Sequence, residues 1–291
     1  MLNEAISSDG DFVSIGGVRL PMRALVDPRI HDPEFATGLR QQFECAAPFP
    51  HLVIQQLFHP QLLEQVAAEF ERIPRDGWRA YRNHHEQTFR SQPQAPMGPA
   101  SRLYFGLANS GEFIRFLCRV TGIDVLIADP WMFGGGLHES RNGGRFSIHR
   151  DFDRHPHTGL RNRLVLLTYL NKDWNSDWGG DLELWDADQR ACVTRVAPTF
   201  GVSLLMSHGR SSYHGHPAPL QMPAGVTRRS LANYFYSAPS YGAMAGGSTT
   251  TQFMQPLLRY SIAWGTIRLL RRWMPPAIWD AARQLRQYWA R

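Results

Sequence analysis

The sequence predicts a mainly β fold with flanking helices, its core an antiparallel sandwich or jelly roll. Three observations carry this. Residues 124–238 break into short β-rich runs about ten residues apart, divided by Gly, Asn, Asp and Pro, as in antiparallel meanders. No helical segment alternates with these runs, which excludes a parallel βαβ sheet. Helical periodicity is confined to the two flanks.

In chain order, residues 1–45 mix apolar runs with turn residues and define no element. "FPHLVIQQLFHPQLLEQVAAEFERIP" reads as a short strand followed by a helix over 60–72, stopped by Pro74. Residues 75–101 are polar and Pro-rich and read as an ordered loop or lid. "NSGEFIRFLCRVTGI" opens on the cap residues Asn109 and Ser110, and apolar positions at helical spacing give a helix over 110–121. The β region follows, as "RFSIHRDF", "NRLVLLTYL", "GDLELWD", "ACVTRVAP", "GVSLLMS" and "RSLANYFYS". Past 252, one stripe (Leu257, Tyr260, Trp264, Ile267, Leu270, Met274) runs up to Pro275 and Pro276. A second (Ile278, Ala282, Leu285, Trp289) follows them, predicting two helices. The expected organisation is a single domain over 1–245, with a mixed helical part over 1–123 and the jelly-roll core over 124–240. A basic helical extension over 252–291 follows it.

The net charge of +6 belongs to that extension. Residues 252–291 hold seven arginines and one acid, Asp280, leaving 24 basic and 24 acidic residues elsewhere. A neutral body argues against nucleic acid as a partner, and the tail could touch a membrane surface or a partner protein. The three cysteines, Cys45, Cys118 and Cys192, are odd in number and far apart, which fits a reducing compartment. The acidic, polar start "MLNEAISSDGDF" is unlike a signal peptide, and no run approaches the ~20 apolar residues of a membrane span. A cytoplasmic location is expected.

"FSIHRDFDRHPH" raises the question of chemistry. On a strand, residues two apart share a side, so His149 and Asp151 can reach one ion. A His and a carboxylate are two thirds of the facial triad that binds Fe(II) and leaves positions open. "SSYHGHPAP" supplies His214 or His216 as the third donor. Further on, "TRRSLANYFYS" opens a core-directed strand with Arg228 and Arg229, and a buried guanidinium needs an anion. Strand parity groups Arg228 with Ser230, Ala232 and Tyr234 and turns Arg229 the other way. "GGG" at 134–136 lacks a following lysine and helix start, so it marks a tight turn or close backbone approach, not a phosphate loop.

Together, "GGGLHESRNGGRFSIHRDF", "RLVLLTYLNKDW", "WGGDLELWD", "SYHGHPAPL" and "RRSLANYFY" make residues 130–238 resemble the Fe(II)/2-oxoglutarate oxygenases of the prolyl 4-hydroxylase type, bacterial members included. "YLNKDW" followed by "GG" is similar to the same run in the hypoxia-sensing prolyl hydroxylases. The resemblance implies a double-stranded β-helix (jelly roll, cupin-like) core. It places the metal ligands on His149, Asp151 and His214 and the 2-oxoglutarate anchor on Arg228. It matches Tyr169 to a side chain that reaches the same carboxylate. Two features depart from the pattern. The connection from His214 to Arg228, filled by "LQMPAG", is longer than usual, and His138 stands near where these enzymes often have a tyrosine.

The implied cofactors are Fe(II), 2-oxoglutarate and O2, with ascorbate as a possible reductant. The implied reaction is hydroxylation of an unactivated C–H of a small molecule, an amino acid or peptide, or a glycan-type substrate, giving succinate and CO2. The carboxylate ligand Asp151 separates the pattern from the halogenases, which lack it. The alternative is a metal-dependent cupin-like isomerase or sugar-binding module that does not use 2-oxoglutarate. That reading leaves the arginine without an anion. Substrate contacts are expected from 75–101 and from the loops around 138–146.

Overall fold

The fold is described from a computed structural model covering residues 11–188, 190–239 and 247–254. Up to Phe253 these residues form one compact unit. The helices expected beyond Gln255 lie outside the described residues. No helix among the described residues is long and apolar enough to cross a membrane.

The chain starts with a hairpin, β1 (Phe12–Ile15) and β2 (Val18–Pro21). Helix α1 (Pro33–Cys45), strand β3 (His51–Gln55) and helix α2 (Pro60–Glu69) follow, with a 3-10 turn over Phe70–Arg72. A second hairpin, β4 (Trp78–Arg82) and β5 (Glu86–Ser91), precedes α3 (Pro99–Ala108) and α4 (Gly111–Thr121). The β region then runs through β6 (Ile127–Ala128), β7 (Gly136–Ser140), β8 (Arg145–Arg150) and β9 (Arg161–Tyr169). It continues with β10 (Leu182–Asp186), β11 (Ala191–Val196), β12 (Val202–Ser207), β13 (Tyr213–His216) and β14 (Arg228–Ser237). Short β15 (Gln252–Phe253) comes last.

Residues 75–101 are therefore not the loop that their composition suggests. The prolines that gave that impression fall after β5, and Pro99 opens α3, where a missing N–H costs no helical bond. The polar centre of the segment is a tight turn. Asn83 Oδ1 accepts from the amides of His85 (2.8 Å) and Glu86 (2.9 Å), a side-chain mimic of a backbone turn. The helix expected over 110–121 is α4. Ser110 Oγ accepts from Phe113 N (3.2 Å), and Gly122 closes the helix at φ +69°, a left-handed conformation suited to glycine.

Among the described residues, 13 strands join in one antiparallel sheet that curls on itself as a jelly roll. Its main path is β11-β10-β13-β8-β5-β7-β14-β9-β12-β3. The consecutive strands β7 and β8 do not pair with each other. Strand β5 lies between them, pairing Glu86 with Phe146 and Arg90 with His138, so the hairpin is built into the wall of the barrel.

Alternation divides the sheet's side chains between two cores. Leu164 and Leu166 of β9, Leu205 of β12, and Leu231 and Phe235 of β14 face helices α2 to α4, against Leu62, Tyr104, Phe113 and Phe116. Val165, Tyr169, Leu204, Met206, Tyr234 and Tyr236 face the barrel interior with Leu182 and Leu184. Strands covered on both sides read as continuous apolar runs, which explains "LVLL" in β9. Burying each such side chain contributes roughly 1.5–3 kcal/mol before chain entropy is subtracted.

One buried carboxylate ties the helices together. Glu69, at the end of α2, accepts from the amides of Ala100 and Ser101 (2.8 Å each) and from Ser101 Oγ (2.6 Å). It thereby satisfies the free N–H groups at the start of α3. Gly98 leaves room for it, since a Cβ there would lie 2.1–2.6 Å from the Glu69 carboxyl atoms. Glu69→Ala is expected to lower unfolding free energy by about 2–3 kcal/mol in urea denaturation, because buried donors lose a charged acceptor. A loss under about 0.5 kcal/mol, the range of an ordinary surface substitution, would contradict this role.

Candidate metal centre and anion pocket

Strand pairing sets the site. His149 on β8 stands opposite His214 on β13 in the antiparallel register, and their rings lie 4.6 Å apart. Each ring is held in the same way. His149 Nδ1 donates to the Ser147 carbonyl (2.7 Å), and His214 Nδ1 donates to the Ser212 carbonyl (3.0 Å). That fixes both tautomers and leaves both Nε2 lone pairs free. Strand β8 ends at Arg150, and Asp151 follows it into the gap between the rings. Its carboxylate lies 3.6 Å from His149 Nε2 and 3.8 Å from His214 Nε2.

Donor atoms each about 2.0–2.2 Å from a shared ion stand within about 4 Å of one another, and these distances meet that condition. His149, Asp151 and His214 are all buried, and they are the group among the described residues able to hold a metal. Burial pushes His214 down to about 4 against the opposing charge of Asp151, so its imidazole is neutral at pH 7. Burial works to raise the Asp151 carboxyl, but His214 and His149 outweigh it and hold it below the usual carboxylate range. Two imidazoles with a carboxylate are the donor set that suits Fe(II) and leaves coordination positions open.

The triad lines a cavity of about 610 Å³, mouth included, shared with Arg228, His138, Thr88, Arg90, Tyr234 and His216. Arg228 is 6% exposed. Its Nε donates to the Gly180 carbonyl (2.8 Å), and its guanidinium sits 5.1 Å from the centre of the Tyr169 ring. Arg228 Nη2 and the Tyr169 hydroxyl are both buried with no protein hydrogen-bond partner. Burial raises the Tyr169 hydroxyl above its ordinary value, with Arg228 opposing, so it is a neutral donor. Two unsatisfied buried donors, one charged, describe a place for an anion beside the metal ligands. Gly180 makes this possible: at φ +81°, any Cβ would come within 3.1 Å of Arg228 Cδ and 2.6 Å of Leu220. The donor set and these orphaned groups together fit a metal with an anionic cosubstrate.

Arg229 faces the other way, as strand parity requires. It pairs with Glu71, donates to the Ala67 carbonyl (3.2 Å) and approaches Glu139 (3.5 Å). His138 lies in the cavity wall with Nε2 donating to the Gly134 carbonyl (3.0 Å), and burial, aided by Arg90, pushes it down to about 3. His216 also lines the cavity but is not in the metal-capable group. The glycines at 134–136 mark a close approach. A Cβ on Gly136 would meet Ser91 Oγ at 2.5 Å, and one on Gly135 the Ala232 carbonyl at 2.9 Å.

Sequence reasoning missed Arg90 and Thr88. Arg90, 17% exposed, is neutralised by Glu86 (2.7 Å) and lies over the Tyr81 and Phe146 rings. The signal was there: Glu86, Thr88 and Arg90 alternate on one face of "EQTFRS". Phe146 stacks on His149 (3.8 Å), and Phe253 of β15 stacks on His85 (4.0 Å), which gives the cavity an aromatic flank.

Residues 135–236 match the model of the 2OG-Fe(II) oxygenase superfamily. No curated protein matches the chain. Among solved structures, the fold is similar to that of a Pseudomonas putida prolyl-4-hydroxylase, at 16% identity and TM-score 0.50, over 69% of this chain and 98% of that one. It is also similar to a prolyl hydroxylase from Trichoplax adhaerens in complex with a hypoxia inducible factor peptide fragment, at 15% and 0.50, over 70% and 90% of the two chains. An oxidoreductase of the 2OG-Fe(II) oxygenase family from Burkholderia pseudomallei aligns at 12% and 0.50, over 74% and 93%. At these identities the likeness is one of fold.

Arg229→Ala is expected to lower stability by about 1–3 kcal/mol, since it leaves the buried Glu139 with less compensation. Metal binding, read by anaerobic Fe(II) titration, should be unchanged. Loss of metal binding at unaltered stability would contradict the separation of the two arginines.

Proposed function

We propose that this chain, whose residues 135–236 match the 2OG-Fe(II) oxygenase superfamily model, is a 2-oxoglutarate-dependent dioxygenase that holds Fe(II) through His149, Asp151 and His214 and anchors 2-oxoglutarate at Arg228. The observation that carries the reading is the buried, unpartnered Arg228 Nη2 in the same cavity as the triad. Bound there, iron and 2-oxoglutarate supply the oxidising power to put an oxygen atom from O2 into an unactivated C–H, with succinate and CO2 as coproducts.

The protein's own groups bind, orient and keep the site dry. The Gly180 carbonyl holds Arg228 Nε, so the guanidinium presents Nη2 in a fixed direction to the distal carboxylate. The unpartnered Tyr169 hydroxyl would donate to the same carboxylate, and His138, neutral and fixed through Nε2, would complete that end of the cosubstrate pocket. Val165, Leu167 and Leu182 exclude water between these donors and the metal ligands. The Nδ1 bonds to the Ser147 and Ser212 carbonyls hold the ligand rings ready before metal arrives.

The substrate is a small molecule, an amino acid or peptide, or a glycan-type group. It enters past the His84–His85 turn and the Arg141–Gly144 turn. The peptide held by the Trichoplax relative supports an opening wide enough for a chain segment. The three cysteines are free, which supports a reducing compartment, the cytoplasm. A cupin-like isomerase or sugar-binding module would use the triad but would leave Arg228 without its anion.

Succinate release tests this directly. Protein loaded anaerobically with Fe(II) and given 2-oxoglutarate and O2, without primary substrate, should form succinate slowly, and His149→Ala should abolish it. Arg228→Ala should keep its iron and lose the turnover. Turnover undiminished in Arg228→Ala would remove the 2-oxoglutarate anchor from that position, and no succinate from the iron-loaded parent would return the site to the cupin-like reading.

A further inference from the structure

A second cavity, of about 940 Å³ with its mouth included, lies on the opposite side of strands β7 and β14 from the candidate metal ligands. Alternation makes this unavoidable: His138 and Arg228 line the first cavity, and their neighbours Glu139 and Arg229 line the second. Arg75 and Arg141 complete its charged rim, and Trp78 and Ile73 form an apolar floor.

The charges do not cancel. Glu139, 8% exposed, is shared by Arg141 (2.8 Å) and Arg229 (3.5 Å), while Glu71 pairs with Arg229. Arg75 has no acidic partner among the described residues, so three guanidiniums face two carboxylates. In addition, the buried Arg229 Nε meets Glu139 Oε2 only at 3.5 Å and makes no hydrogen bond. An anion beside these groups would add charge-assisted bonds that the protein does not make for itself.

The remaining wall is Pro223–Thr227, from the connection whose length departs from the resembled pattern. That connection is pinned in place. Met222 N donates to Asn142 Oδ1 (3.0 Å), Gly143 N donates to the Leu220 carbonyl (2.8 Å), and Leu220 N donates to the Gly144 carbonyl (3.0 Å). The cavity is thus preformed, which spares a ligand the cost of ordering the loop.

We propose that the cavity bounded by Arg75, Arg141, Arg229 and Pro223–Thr227 is a second binding site, taking a small organic anion with carboxylate or phosphate groups. Its charged end lies among the guanidiniums, and its carbon body meets Trp78. The site is separate from the cosubstrate pocket and does not depend on what that pocket binds.

The test uses the full chain, with citrate and inorganic phosphate as probes, followed by titration calorimetry and by the shift in melting temperature. At least one probe should bind saturably. Arg75→Ala with Arg141→Ala should weaken that binding by about tenfold or more, roughly 1.4 kcal/mol. Arg75 is exposed and has no acidic partner among the described residues, so Arg75→Ala alone should melt like the parent without probe and show a smaller loss of binding in the same direction, whereas the double variant also removes a partner of the buried Glu139 and should melt somewhat lower. Arg228→Ala should bind the probe as the parent does. The proposal is overturned if neither probe saturates, if the double variant binds equally well, or if Arg228→Ala alone abolishes binding, which would put the anion in the first cavity.

Discussion

The pairing of β8 with β13 is the constraint on which the site depends. A register that sets His149 opposite His214 brings two imidazoles within 4.6 Å, and two like carbonyl bonds turn their Nε2 atoms toward Asp151. A slip of β13 by one residue would send the His214 ring to the other face and leave Asp151 buried without that partner. The pairing is irregular between His214 and His216, and that irregularity lies next to the ligand position, as bulges near functional sites often do. The aromatic stack of Phe146 on His149 supports the same ring from its own strand.

The second organising fact is that the sheet is covered on both sides. Helices α2 to α4 take one set of side chains, and the barrel interior takes the other. Adjacent residues on one strand therefore do unrelated work. Arg228 lines the cavity of the candidate metal ligands with its Nη2 unpartnered, whereas Arg229 ties β14 to the α2 region through Glu71 and the Ala67 carbonyl. Asn171, just after β9, holds that arrangement by accepting from Arg229 N (2.7 Å) and donating to the Arg229 carbonyl (3.1 Å). Buried polar groups are normally partnered, which makes the unpartnered Arg228 Nη2 and Tyr169 hydroxyl, beside the likewise unpartnered His216 Nδ1, informative.

Much of this was legible in the chain. The β-rich runs from 145 to 237 became strands because period two and turn residues act locally. His149 and Asp151 share a side for the same reason, and parity alone separated Arg228 from Arg229. The choice between His214 and His216 was not local, since both have the same parity and only the cross-strand register distinguishes them. The β4–β5 hairpin was hidden because its exposed face is polar and prolines follow it closely. Arg90 went unseen with it, because a cation read in a loop gives no hint that Glu86, four residues earlier, lets it be buried.

The central claim is that a metal bound by the triad and an anion bound by Arg228 meet in one cavity. The most direct measurement is an anaerobic titration of 2-oxoglutarate into the Fe(II)-loaded protein, following the visible charge-transfer absorption of a cosubstrate chelated to iron. The account predicts a saturable band that needs about tenfold or more 2-oxoglutarate in Arg228→Ala, a change of roughly 1.4 kcal/mol. A band that saturates at the same concentration in both proteins, or no band while the triad still holds iron, would contradict it.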